Sequence, residues 1–224
     1  MAVSINGTTG LTGVAAIDDV SSTELGYLDG VTSAVQGQLD GKQAAASTGL
    51  VLVSPSSIAN SGGSASSTGG TTTFTGVTSV SLNNVFSGDY ENYRVLIANE
   101  NSASADRYFR LRGSGTDNTG VIYNRQQISG NGASANAARQ GDANAWNLQN
   151  QSANQGQSIS ATFFRPAEAA WTAGEYFMTR DPATPICYVG YLSHRTSTAY
   201  DGLTFYTNSG TMTGTIRVYG YQGA

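Results

Sequence analysis

The stretch "RYFRLRGSG", residues 107–115, alternates with a period of two until glycine and serine break it. In an extended strand successive side chains point to opposite faces, so Tyr108, Arg110 and Arg112 share one face and Arg107, Phe109 and Leu111 the other. The Phe/Leu face is the one a core takes, which turns the Tyr/Arg/Arg row outward. The same rhythm continues on both sides, in "TFTGVTSVSLNNVF" (73–86), "NYRVLIAN" (92–99), "GVIYNRQQIS" (120–129) and "SISATFFRP" (158–166). It returns in "EYFMTRD" (175–181), "ICYVGYLSHR" (186–195), "LTFYTNSG" (203–210) and "GTIRVYGYQ" (214–222). These β-branched and aromatic runs are bounded by Asn, Gly, Ser and Asp clusters, the punctuation of strands. About eight to ten short strands at this spacing predict an antiparallel β-sandwich or jelly roll over residues 73–224. The polar region Gly130–Gly156 around Trp146 reads as a long loop, or as two loops flanking a short strand. The strongest helical signal in this half is only "RPAEAAW", with Pro166 at or before its first turn.

Moving toward the N-terminus, the pattern changes. Every Phe and Trp, and every Tyr except Tyr27, lies beyond residue 73, so the first third has little that is large to bury. Residues 46–72 are Ser/Gly/Ala-rich with one β-capable island, Leu50–Val53, and predict a linker, flexible or held extended against a neighbour. Residues 23–45 carry apolar or tolerable residues at Leu25, Leu28, Thr32, Val35 and Leu39, spacings of 3, 4, 3 and 4 that suit a helical seam. Gly26, Gly30, Gly37 and Gly41 weaken that helix by up to about 1 kcal/mol each. An isolated helix of this length is marginal even without them. Two readings follow: a self-associating stalk, or an amphipathic helix lying on its own domain. Residues 1–22, with Gly7, Gly10 and Gly13 among Thr-rich runs, read as an extended arm with turns.

Charge and composition narrow the function. Residues 1–50 hold five acids against Lys42, while the remainder balances ten acids with ten arginines, so the formal charge of −4 sits in the N-terminal part. Such a chain lacks the basic face that tracks phosphates, and nucleic acid is not an expected partner. The first residues have neither a basic nor an apolar segment of a secretory signal, and "GLVLV" is far too short to span a bilayer. The expectation is a soluble protein made in a cytoplasm, with no membrane insertion. One cysteine, Cys187, excludes an intrachain disulfide.

Catalytic constellations are not expected. His194 is the sole histidine, so any Ser–His–Asp arrangement rests on it alone, and a strand-end histidine is ordinarily exposed or hydrogen-bonded. One His and one Cys cannot build a zinc tetrahedron, and "GTDNTG" around Asp117 lacks the later glutamate of a calcium loop. Acids such as Asp89, Glu91, Asp106, Glu175 and Asp201 fall at predicted strand ends and turns, where they are usually turn-formers rather than a hydrolytic pair. "GGTTTFTG" has neither the lysine nor the helix of a phosphate loop. The chain therefore reads as a non-enzyme without cofactor or metal.

Binding is the better expectation. The outward row Tyr108, Arg110, Arg112 has a counterpart in Arg217, Tyr219 and Tyr221, which alternate with Ile216 and Val218. Planar guanidinium groups beside phenol rings suit a sugar surface, and equally suit an ordinary strand face or subunit interface. With Trp146 these six are the candidate receptor contacts, taken on face and exposure.

The segment "ELGYLDGVTSAVQGQLDGKQ", Glu24–Gln43, resembles one that recurs in tail-fibre and related virion appendage proteins of bacteriophages, including phages of aquatic bacteria such as cyanobacteria. More loosely, "ENYRVLIANENS", "RYFRLRGSGTDNTGVIYNRQ" and "GTIRVYGYQ" are similar to the β-rich tips of phage fibres. The resemblance implies a short homotrimeric fibre carried on the virion. Residues 1–22 would attach to a baseplate or tail hub, and Leu25, Tyr27, Leu28, Val35 and Leu39 would pack between chains. The tip would recognise a host surface glycan or protein. A head or capsid fibre, or a decoration protein without receptor binding, is the alternative. A depolymerase tailspike fits less well.

Overall fold

Strict in–out alternation over nine or ten residues makes strands wherever one face can be buried, and this chain does so repeatedly. The structure, a computed structural model, describes residues 49–180 and 185–222 and four short strands before them. It divides into two units, Met1–Ser47 and Thr48–Ala224. In the first, β1 (Ser4–Asn6) pairs antiparallel with β2 (Gly10–Thr12), and β3 (Ala16–Ile17) with β4 (Val20–Ser21). The expected stalk over 23–45, with Leu25, Tyr27, Leu28, Val35 and Leu39, lies outside the described residues.

The second unit is mainly β, built as two antiparallel sheets. The larger contains β5 (Gly49–Val53), β7 (Ser64–Thr68), β8 (Thr71–Val77), β10 (Asn92–Asn101), β13 (Tyr123–Asn131), β14 (Ser134–Ala143), β16 (Gly156–Phe164), β17 (Thr172–Arg180), β18 (Ile186–His194) and β20 (Met212–Gln222). Its order is β14-β13-β18-β17-β16-β10-β20-β8-β7, with β5 also on β20. The smaller contains β6 (Ser57–Ser61), β9 (Ser79–Asn83), β11 (Ala105–Gly113), β12 (Thr116–Asp117), β15 (Trp146–Gln151) and β19 (Gly202–Thr207). Its order is β12-β11-β19-β9-β6, with β15 also on β11.

The sheets meet through aromatic rings. Phe109 of β11 packs on Phe163 of β16 with centroids 5.7 Å apart, and Phe74 of β8 meets the edge of Phe205 of β19 at 6.4 Å. Around these contacts Val80, Leu82, Val95, Leu111, Ile159, Ala161, Leu203 and Val218 complete one buried core drawn from both sheets. Facing inner surfaces in this way gives the unit a sandwich-like build.

Three sequence expectations change here. The linker expected over 46–72 is, from Gly49 onward, folded into β5, β6, β7 and the start of β8. Its Ser and Thr side chains stay largely exposed, and it is held by the ladder of main-chain hydrogen bonds offered by β20, β9 and β8 together with Val53, Ile58 and Ala65, which pack against the core. Together, β6–β7 and β8–β9 form one bent ribbon that passes from the small sheet to the large one. At its corner Thr78 N donates to Ser61 O at 2.7 Å. Gly63 (φ 41°) sits there so close to the facing strand that a Cβ would overlap the carbonyl oxygen of Thr75. Only glycine fits both the left-handed backbone and the approach.

The region Gly130–Gly156 is the second correction. It is the β13–β14 hairpin, turning at Gly132 (φ 58°), followed by β15. Third, "RPAEAAW" is a turn between β16 and β17, with Arg165 at φ 52° and Glu168 N donating to Arg165 O at 3.2 Å. Seven residues spanning two paired strands are too few to offset helix nucleation.

Candidate binding face of the smaller sheet

The side chains that alternation turns outward on β11 meet those of β19, its hydrogen-bonded neighbour, in direct register: Tyr108 opposite Tyr206, Arg110 opposite Thr204, Arg112 opposite Gly202. The two phenol rings stack, with centroids 4.8 Å apart and planes 15° from parallel. The Arg110 guanidinium carbon lies 4.6 Å from the Tyr206 centroid, in cation–π range. Arg110 Nε also donates to Asn144 O at 3.1 Å, and its Nη1 stands 4.0 Å from Asp117 Oδ2.

Arg112 shares this face, yet it is only 7 % exposed, against the exposure expected for it. Its Nε donates to Asn83 Oδ1 at 3.1 Å, and its Nη1 to Ser81 Oγ at 3.1 Å and Thr204 Oγ1 at 2.9 Å. It is ion-paired to Asp117 and donates to Gly115 O as well. A guanidinium with this many acceptors is a satisfied structural cation. The cause is the hairpin to β12, which brings Asp117 over it, together with the neighbouring β9.

These groups form a groove of about 290 Å³. Arg112, Ser81 and Thr204 make its floor, Ala59–Ser61 of β6 one wall, and Arg110 with Asp117 the other. At the far end of β11, Asp106 accepts from Tyr108 Oη at 3.2 Å and from Asn147 Nδ2 at 3.0 Å. Burial, reinforced by Asp106, pushes the Tyr108 phenol up to about 12, and burial raises Tyr206 against the opposing pull of Arg110. Both phenols are therefore neutral donors at ordinary pH. The face offers guanidinium, phenol, hydroxyl and carboxylate groups on a rigid sheet, a chemistry of polyol recognition.

The remaining candidates are elsewhere. Trp146 is fully buried, a second correction to the exposure expected: β15 adds to β11 and sets Trp146 opposite Phe109, facing the core. Its ring packs on Tyr123 at 5.0 Å and Phe163 at 5.6 Å, and Nε1 donates to Ser193 O at 3.1 Å. Arg217, Tyr219 and Tyr221 do point outward, but from β20 in the larger sheet, so they do not join Tyr108 and Arg110. Sequence reasoning missed Tyr206, Thr204, Ser81 and Asp117. Alternation in "LTFYT" pairs Thr204 with Tyr206 on one face, but which strand lies beside it is not encoded in the run itself.

Inside the unit, His194 is buried between the rings of Tyr123 (4.3 Å), Tyr200 (5.2 Å) and Trp146 (6.1 Å), and neither ring nitrogen has a hydrogen-bond partner among the described residues. Burial lowers it to about 4, so the imidazole is neutral and walled off from any substrate. Arg107, fully buried, donates to Ala105 O at 2.8 Å and is lowered by desolvation to about 10, which leaves it charged. Among the described residues no three His, Cys, Asp or Glu side chains gather as a metal site. Compared with protein-family models, with curated proteins and with solved structures, the chain matches none.

Proposed function

We propose that this chain is a phage tail fibre: a homotrimeric virion protein whose arm, residues 1–22, attaches to the tail or baseplate and whose β-sandwich tip binds a host surface receptor. Two lines support the reading. The segment Glu24–Gln43 resembles the stalk of such appendages. The observation that carries receptor binding is the polar face of the smaller sheet, where Arg110 lines the groove beside Asp117 and Thr204 and also lies over Tyr206, itself stacked on Tyr108. A surface glycan, presenting hydroxyls to the Arg and Asp groups and ring hydrogens to the phenols, is the receptor class this chemistry favours. The tip acts by binding, without a catalytic step. Three weak sites per fibre and several fibres per virion give avidity that no single groove needs to supply.

The test is binding of the fluorescently labelled full chain to cyanobacterial and other aquatic bacterial cells, with competition against adsorption of whole phage. Staining of one host and blocked adsorption support the fibre reading. Arg110→Ala and Tyr206→Ala should then each weaken the single groove at least about tenfold, roughly 1.4 kcal/mol per site, and apparent affinity by more. A well-folded chain that stains no host and leaves adsorption untouched shifts the reading to a head fibre or decoration protein.

A further inference from the structure

The outer face of the ten-stranded sheet is unlike every other surface of the unit. Of the eight large hydrophobic side chains left exposed among the described residues, six lie on it: Leu50, Leu52, Ile128, Phe177, Val189 and Tyr191. Their exposures run from 38 % for Leu52 to 61 % for Ile128. Four of them adjoin, Phe177 on β17, Val189 and Tyr191 on β18 and Ile128 on β13. Across successive strands, Leu96, Ser160, Phe177, Val189 and Ile128 form a single row, each hydrogen-bonded neighbour directly opposite the next. These four side chains present on the order of 400 Å² of contiguous apolar surface, a patch size that on a soluble protein is often functional.

The face also has relief and unpaired charge. Small residues at Ser160, Ser158 and Ala98 leave two hollows beside Phe177, of about 260 Å³ and 250 Å³. In the adjoining row Arg94 of β10 and Glu175 of β17 stand on either side of Thr162, Arg94 toward β20 and Glu175 toward β18. Neither Arg94 nor Glu175 has an ion-pair partner among the described residues.

We infer that this face is where copies of the chain meet, the Glu175 side of one copy lying on the Arg94 side of the next. A second copy is the occupant because it brings what the face lacks on each side: a carboxylate for Arg94, a guanidinium for Glu175, and projecting Phe177 or Tyr191 for the hollows. A contact that sets the β17 side of one copy on the β10 side of the next is head-to-tail, and it generates a ring when the rotation between copies closes. A stable interface buries roughly 800 Å² on each partner, which the apolar patch and its polar surround together supply. The number three rests on the fibre reading above; the contact itself rests on this face.

Cys187, the sole cysteine, points out of the same face two residues from Val189 and supplies a native probe. The experiment measures, on the full chain, solution mass together with the rate at which a bulky maleimide labels Cys187. Val189→Glu, at an exposed site the monomer tolerates, should raise the labelling rate by at least about tenfold. Arg94→Glu and Glu175→Arg should each do the same, and their combination should restore protection. If wild-type Cys187 labels as fast as in Val189→Glu, the interface is wrong. A mass that stays trimeric in that case leaves the fibre reading standing on the stalk. Protection that appears only on adding cells a phage adsorbs to would also overturn the inference, assigning the face to a receptor. A monomeric wild type overturns it too, and phage competition then decides the fibre reading separately.

Discussion

The two outer faces of the β unit solve the same problem in opposite ways. On the smaller sheet, charge is brought down to the floor and saturated: Arg112 is ringed by Asn83, Ser81, Thr204, Asp117 and Gly115. On the larger sheet, Arg94 and Glu175 stand without ion-pair partners among exposed Phe177, Val189, Tyr191 and Ile128. A saturated polar face is complete as a surface for water or polyols. An apolar face with unmatched charges is half of a contact. Alternation cannot distinguish them, because both kinds of residue read simply as outward.

The comparison can be broken most sharply at its common support, Trp146, which the core shares with both sheets. Trp146→Ala should cost about 4 kcal/mol in denaturant unfolding, and loss of both faces together is the expected phenotype. Next, Arg112→Met removes the cation that compensates a partly buried Asp117 and should cost about 3 kcal/mol. Arg94→Met on the other sheet should stay within about 0.5 kcal/mol for the monomer. Equal costs would mean that the faces are not different in kind.

Acid probes the core between them. His194 takes its proton at about 4 in the folded chain against 6.5 for an ordinary histidine. The unfolded chain therefore binds the proton first, and stability falls as pH drops from 6.5 toward 4 while this group contributes no slope above that window. The loss should be on the order of 3 kcal/mol across the window, and His194→Phe should flatten it. A smaller loss than the acid effect belongs to Arg110→Ala, at about 1 kcal/mol or less for the lost cation–π contact, measured by the same unfolding curves. A larger loss would make Arg110 part of the scaffold rather than of the binding face.

Much of this was legible in the sequence. The alternation in "RYFRLR" placed Phe109 and Leu111 in the core and turned Tyr108 and Arg110 outward, because period two is a property of the strand itself. What it could not give was the neighbour. Arg112 is buried by Asp117 and by Ser81 from a different strand, and Trp146 is buried because β15 finds β11, decisions made by long-range pairing. Arg107 belongs to the same class: it sits on the core face as its position dictates, and the interior accommodates it with main-chain acceptors. The Ser/Gly run before Thr71 misled for a related reason. Its strands are held mostly by partners' backbones, with single apolar side chains such as Ile58 and Ala65 reaching the core, so composition carried little signal.

One pairing has a consequence for how this unit can be joined to others. β5, which opens the unit, is zipped onto β20, with Gly49 opposite Gln222 and Val53 opposite Val218. Facing residues in such a pair are roughly 5 Å apart, so a loop of a few residues could close residues 222 and 49 into a circle. New ends could then be opened at the Gly132 hairpin tip without cutting a buried strand. The chain thus enters and leaves the unit at one place, so that whatever is fused before residue 49 and after residue 222 is brought side by side.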